Sequence, residues 1–179
     1  SVAMVGDYAK IDTSSSSKIE LYGDNSIGII SANGAQTTNA GTIIIDGDEA
    51  LGIYGGNTLD DTPATLGYGD GKINITHNGE IKTTVTAGKR YGIYVENLAA
   101  YSVPAADSVV TTTSGSKIDL SSASMGGVGI YSDKSTVNHS GSVKISSTST
   151  DNGTGIYAKN GSNVEIFSTG SLEVTGEKG

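Results

Sequence analysis

Two histidines, 19 aspartates and glutamates and a single arginine are the residues of this 179-residue chain that could carry acid–base or metal chemistry; cysteine is absent. His77 and His139 each stand two residues before a glycine, Gly79 and Gly141. Neutral imidazole is a common metal ligand, but the repeat described below assigns the two to different turns, with backbones roughly 10 Å apart, too far to share one ion. Both are expected to be solvated corner residues. Asp46-Gly47-Asp48-Glu49 and Gly67-Tyr68-Gly69-Asp70-Gly71 resemble fragments of calcium loops, yet neither recurs, and both read as turns. Cleavage of acidic polysaccharides would need carboxylates converging near a base. Here Asp and Glu are scattered, Arg90 is the only arginine, and a net charge of −8 would repel an anionic polymer. The expectation is no catalytic residue, no metal, no cofactor and no enzymatic activity.

The elements that would position any such group are visible as a returning phrase: Ile27-Gly28-Ile29-Ile30, Leu51-Gly52-Ile53-Tyr54, Tyr91-Gly92-Ile93-Tyr94, Val128-Gly129-Ile130-Tyr131 and Thr154-Gly155-Ile156-Tyr157, with a degenerate copy at Val2-Ala3-Met4-Val5. The small residue recurs at intervals of 25, 24, 40, 37 and 26. After each phrase come two more with aliphatics at i and i+2, such as Val164-Glu165-Ile166 and Leu172-Glu173-Val174, or Ile73-Asn74-Ile75 and Ile81-Lys82-Thr83. In the fourth unit Val109 and Ile118-Asp119-Leu120 fill these places. No helical periodicity competes, and no apolar run approaches the ~20 residues of a membrane span. Three short strands per ~25 residues predict an all-β, right-handed parallel β-helix. Its six turns cover approximately 3–27, 28–51, 52–91, 92–128, 129–154 and 155–179. At ~4.8 Å per turn the rod is roughly 29 Å long, and its end turns are expected to fray unless flanking repeats cap them. Ser1 and Gly179 both fall inside repeats, so the chain reads as a piece of a longer one.

Stacking in register makes columns. Ile29, Ile53, Ile93, Ile130 and Ile156 are expected to point inward, which sends Tyr54, Tyr94, Tyr131 and Tyr157 outward as an aromatic ladder. The ladder reads either as a strip on which a sugar or protein lies or as a stack that stiffens the shaft; a position shared by every turn is explained by the fold. Five residues after the marker stand Asn33, Asn57, Asn97 and Asn160, with Lys134 interrupting. Asparagine tolerates left-handed backbone, so an amide ladder at a corner is expected there. The third and fourth units are too long, with surplus at approximately 58–70 and 98–108. Adjacent insertions on one edge are where a solenoid commonly binds. The candidate binding residues are therefore Leu59, Asp60, Asp61, Leu66, Tyr68 and Asp70 in the first insertion, and Leu98, Tyr101, Val103 and Asp107 in the second. Their aspartates suit a basic or hydroxyl-rich partner.

The net negative charge disfavours nucleic acid and anionic membrane surfaces. The phrases, above all Gly153-Thr154-Gly155-Ile156-Tyr157-Ala158-Lys159-Asn160-Gly161-Ser162 running into Val164-Glu165-Ile166 and Gly170-Ser171-Leu172-Glu173-Val174, resemble the repeats of β-helical autotransporter passengers, most closely the large outer-membrane adhesins of fusobacteria. The resemblance implies a monomeric rod on the bacterial surface. It would be anchored through a carboxy-terminal translocator barrel outside this chain, and would bind a host receptor protein, a host glycan or a partner bacterium. No binding residue of that family maps onto a position here. A bare stalk, a polysaccharide-cleaving β-helix and a flat threonine surface of the ice-binding kind are the alternatives; Thr83-Thr84-Val85-Thr86 and Thr111-Thr112-Thr113 do not recur at each turn.

Overall fold

A computed structural model describes residues 1–56, 72–96, 108–123, 125–147 and 152–176. Alternating aliphatic and polar residues with Gly, Asn and Ser at the breaks give short extended segments and no helix among them. The Gly-Ile-Tyr phrases form the first sheet: β1 (Val2–Asp7), β4 (Ile27–Ala32), β7 (Ala50–Gly56), β10 (Arg90–Glu96), β13 (Gly127–Asp133) and β16 (Thr154–Lys159). The second holds β2 (Lys10–Thr13), β5 (Gln36–Asn39), β8 (Asn74–His77), β11 (Ser108–Thr112), β14 (Ser135–His139) and β17 (Asn163–Ile166). The third holds β3 (Lys18–Leu21), β6 (Thr42–Ile45), β9 (Glu80–Lys82), β12 (Lys117–Leu120), β15 (Ser142–Ser147) and β18 (Ser171–Gly176). Every strand pairs in parallel with its equivalents in the neighbouring turns. The chain is thus a parallel β-helix of six three-stranded turns, wound with the right-handed sense of parallel crossovers.

The register stacks like on like. Ile29, Ile53, Ile93 and Ile130 pair in sequence and are fully buried. Ile75, Val110 and Val137 line the second sheet, and Ile43, Ile81, Ile118 and Val143 the third. Val110, rather than Val109, fills the core position in the fourth turn, and Val109 faces outward opposite Asn74. Ser108, at the end of the second surplus segment, belongs to β11 and is buried. On the outer face of the third sheet Lys82, Asp119, Lys144 and Glu173 form one column of alternating charge, which penalises a slip of one turn.

The marker glycine has a steric cause. The strand bends there, so that Gly28, Gly52, Gly92 and Gly129 and the isoleucines that follow all face the interior. A Cβ at these glycines would lie 2.5, 2.7, 2.5 and 2.6 Å from the carbonyl oxygen of the equivalent glycine in the next turn. The corner after the strand is left-handed, with φ of 49° at Tyr8, 51° at Asn33, 48° at Lys134 and 54° at Asn160. These are the positions five beyond the marker; Asn57 and Asn97 lie outside the described residues. Asn33 and Asn160 are each tied to the turn before. Each Nδ2 donates to an aspartate one turn earlier, Asp7 at 2.7 Å and Asp133 at 2.8 Å.

Gly92→Ala should therefore destabilise the chain by about 1–3 kcal/mol, since the methyl meets backbone above it and Ile118 beside it. Gly155→Ala, whose Cβ would have 3.6 Å to its nearest neighbours, should cost under ~0.5 kcal/mol. Urea unfolding followed by circular dichroism distinguishes the two.

Candidate functional site

The four ladder tyrosines are in register on the outer face of the first sheet. Tyr54 stacks on Tyr94 with ring centroids 6.0 Å apart, Tyr94 on Tyr131 at 4.1 Å, and Tyr131 on Tyr157 at 5.4 Å, with planes within 19° throughout. Tyr91 meets Tyr94 edge-on at 6.0 Å. The ring faces are turned on one another, so the ladder presents edges and hydroxyls rather than the flat faces on which a sugar stacks. Glu96 accepts from the Tyr54 hydroxyl at 2.6 Å and from that of Tyr94 at 3.4 Å. Burial, then the Glu96 carboxylate, pushes the Tyr54 phenol well above its ordinary value. Lys159 sits 5.2 Å from the Tyr131 centroid and 3.2 Å from Asp133. The geometry is that of a structural stack.

In the acidic turn Asp46-Gly47-Asp48-Glu49 the two aspartates are taken up by backbone and hydroxyl donors. Asp46 accepts from the Thr84 amide at 2.7 Å and from the hydroxyls of Thr84 and Thr83 at 2.7 and 3.1 Å. Burial works to raise its carboxyl, but these donors and Arg90 hold it below the usual carboxylate range. Asp48 accepts from the amides of Lys89 at 2.7 Å and Glu49 at 3.1 Å, and Asp24 from the Asp48 amide at 2.9 Å. The turn is a corner, as the sequence suggested. Among the described residues no group of three or more His, Asp or Glu is arranged to hold a metal.

Sequence reasoning missed what this corner encloses. Arg90 opens β10 with its side chain directed inward, 1% exposed, stacked between Ala50 and Gly127. Its Nε donates to the Ile45 carbonyl at 3.0 Å and Nη2 to the Asp46 carbonyl at 2.6 Å, while Nη1 has no partner. Burial pulls the guanidinium below its ordinary value, opposed by Asp46, Asp48 and Asp24. The available sequence signal was the register itself, since Arg90 shares a column with Ala50 and Gly127, neither of which suits a solvated face.

His77 and His139 are not solvated corner residues; both are fully buried. They end β8 and β14 at one column position, shared with Thr13, Asn39, Thr112 and Ile166. Period-two alternation turns that position inward, because it lies two residues beyond the core aliphatics Ile75 and Val137. His77 Nδ1 lies 3.1 Å from Asn39 Nδ2 and Nε2 3.1 Å from the Lys117 carbonyl. His139 Nδ1 lies 2.7 Å from Thr112 Oγ1 and Nε2 3.1 Å from the Ser171 carbonyl.

Leu59, Asp60, Asp61, Leu66, Tyr68, Asp70, Leu98, Tyr101, Val103 and Asp107 lie outside the described residues, as does Gly67 to Gly71. Their points of attachment are described. β7 ends at Gly56 and β10 at Glu96, which pair directly, and the chain re-enters at β8 and β11, where Asn74 pairs with Val109. The two surplus segments thus leave and rejoin the rod on adjacent turns of the same edge.

Replacing Arg90 by Ala should cost about 2–4 kcal/mol, from the cavity and two stranded carbonyls. Arg90→Lys should recover less than half of that, because one ammonium cannot span both acceptors as the guanidinium fork does. Denaturant unfolding of the two variants checks the ordering.

No family model, no curated protein and no solved structure matches this chain.

Proposed function

We propose that the chain is a rod segment of a bacterial surface adhesin, which attaches to a host receptor protein, a host glycan or a partner bacterium through the segments inserted after β7 and β10. The observation that supports this reading is the adjacency of their attachment points, Gly56 beside Glu96 and Asn74 beside Val109. A rod of like-on-like turns offers few irregular surfaces, and two neighbouring long connections on one edge concentrate what variation there is. The resemblance of the repeats to autotransporter passengers gives the proposed setting: monomeric, outside the cell, and held at the outer membrane by a translocator beyond this chain. Nucleic acid and membrane insertion have no place in this reading, nor do cofactors or catalysis. The corner aspartates nearest the only arginine are engaged by backbone amides and threonine hydroxyls.

A second reading, a stalk without its own binding site, is favoured by the tyrosine ladder, whose ring faces are consumed by each other. Attachment of the labelled chain to host cells and to a glycan array, beside a variant with residues 58–70 and 98–107 replaced by short Asn-Gly turns, separates the readings. The adhesive reading expects binding by the parent alone while both give the same β circular-dichroism spectrum. Absence of binding by either form would favour the stalk.

A further inference from the structure

We propose that the corner between the second and third sheets is an acid-sensitive clasp, closed by a buried, neutral His77 and loosened when that imidazole takes a proton. The directions of its hydrogen bonds are fixed by backbone. Thr13 Oγ1 accepts from the amides of Ala40 and Gly41 at 3.1 and 3.2 Å, so its own proton goes to Asn39 Oδ1 at 2.7 Å. That places the Asn39 amino group toward His77, and it donates to Nδ1 at 3.1 Å. The Lys117 carbonyl at 3.1 Å can only accept, so the ring proton sits on Nε2. A second proton on Nδ1 would face the Asn39 amino group, itself a donor. Reversing Asn39 would then set its amino group against the Thr13 hydroxyl, whose lone pairs are already engaged.

The same device recurs two turns on. Thr112 Oγ1 accepts from the amides of Ser140 and Gly141 at 3.2 and 3.4 Å and is 2.7 Å from His139 Nδ1, while Nε2 lies 3.1 Å from the Ser171 carbonyl. Each imidazole bridges three turns, from the side chain before it to the carbonyl after it, and closes the corner where the sheets diverge.

Among the described residues no charge compensates a proton there. β5 and β11 stack Asn39 and Thr112 against His77, both neutral. The ionisable side chains of the third-sheet strands project from its outer face, where Lys82 pairs with Glu80 at 2.6 Å and Lys117 is exposed. Burial accordingly lowers the His77 imidazole to about 4, with the Lys117 carbonyl opposing. Below the ordinary value near 6.5 the unfolded chain takes up a proton that the folded chain refuses. Stability is therefore full above about pH 6.5 and declines as pH falls towards 4, with the unfolding equilibrium constant rising up to about 300-fold from this residue alone.

The test follows the urea midpoint of the wild-type chain from pH 7.5 to 4 beside His77→Asn, which carries the residue that this column already holds at Asn39. Imidazole signals of the wild type are followed by NMR over the same range, with His77 assigned by its loss in the variant or, should that variant not fold, by elimination with His139→Thr. The proposal expects His77 to stay neutral to about pH 4 and the wild-type midpoint to fall more steeply on acidification than that of His77→Asn. A His77 that titrates near 6.5, or equal pH slopes in the two chains, would overturn it.

Discussion

Each strand of this chain finds its backbone partners in the turns before and after it, at zero offset, and the rest of the structure answers to that pairing. A turn has almost no partners within itself, so its amides and carbonyls are satisfied only if the neighbouring turns present strands of the same length in the same place. Zero offset stacks isoleucine on isoleucine and tyrosine on tyrosine at the spacing of the strands. It also forbids a side chain at Gly28, Gly52, Gly92 and Gly129, where the bent strand brings the next carbonyl within 2.5–2.7 Å of any Cβ.

The corners are where this pairing lapses, and there side chains take over. The Ile45 and Asp46 carbonyls receive Arg90, the Lys117 and Ser171 carbonyls receive His77 and His139, and Thr13 and Thr112 receive the amides of the following corner. A buried polar group costs little when it meets a backbone group that would otherwise be stranded. The shaft thus carries polar residues inside without losing order. The carboxylates of Asp24, Asp46 and Asp48 are committed to the same task.

Architecture was legible in the sequence because the Gly-Ile-Tyr phrase and the i, i+2 aliphatics repeat at the period of a turn. The surplus residues stood out as departures from that period. Where a turn departs from the average composition, the reading failed. β5 has no aliphatic at its core position, which Thr37 fills, and Val109 looked as suitable for the core as Val110. Histidine was assigned to solvent by residue type, although column register placed His77 level with Asn39, and Arg90, level with Ala50, was given no place in the fold. Which way a polar residue faces is decided by its turn-to-turn partners, and these become readable only once every strand is aligned.

Register is therefore the claim to test, and the absence of cysteine makes a clean probe possible. Thr76 and Thr111 pair directly on the outer face of the second sheet, and Asn138 lies one turn beyond Thr111. Paired residues on adjacent strands are ~4.8 Å apart, within disulfide reach, and those two strands apart are ~9.6 Å, beyond it. Mild oxidation of a Thr76→Cys/Thr111→Cys chain should close an intramolecular disulfide in nearly all molecules, whereas Thr76→Cys/Asn138→Cys should stay reduced. Closure of the second pair in preference to the first would contradict the stacking on which the whole account rests.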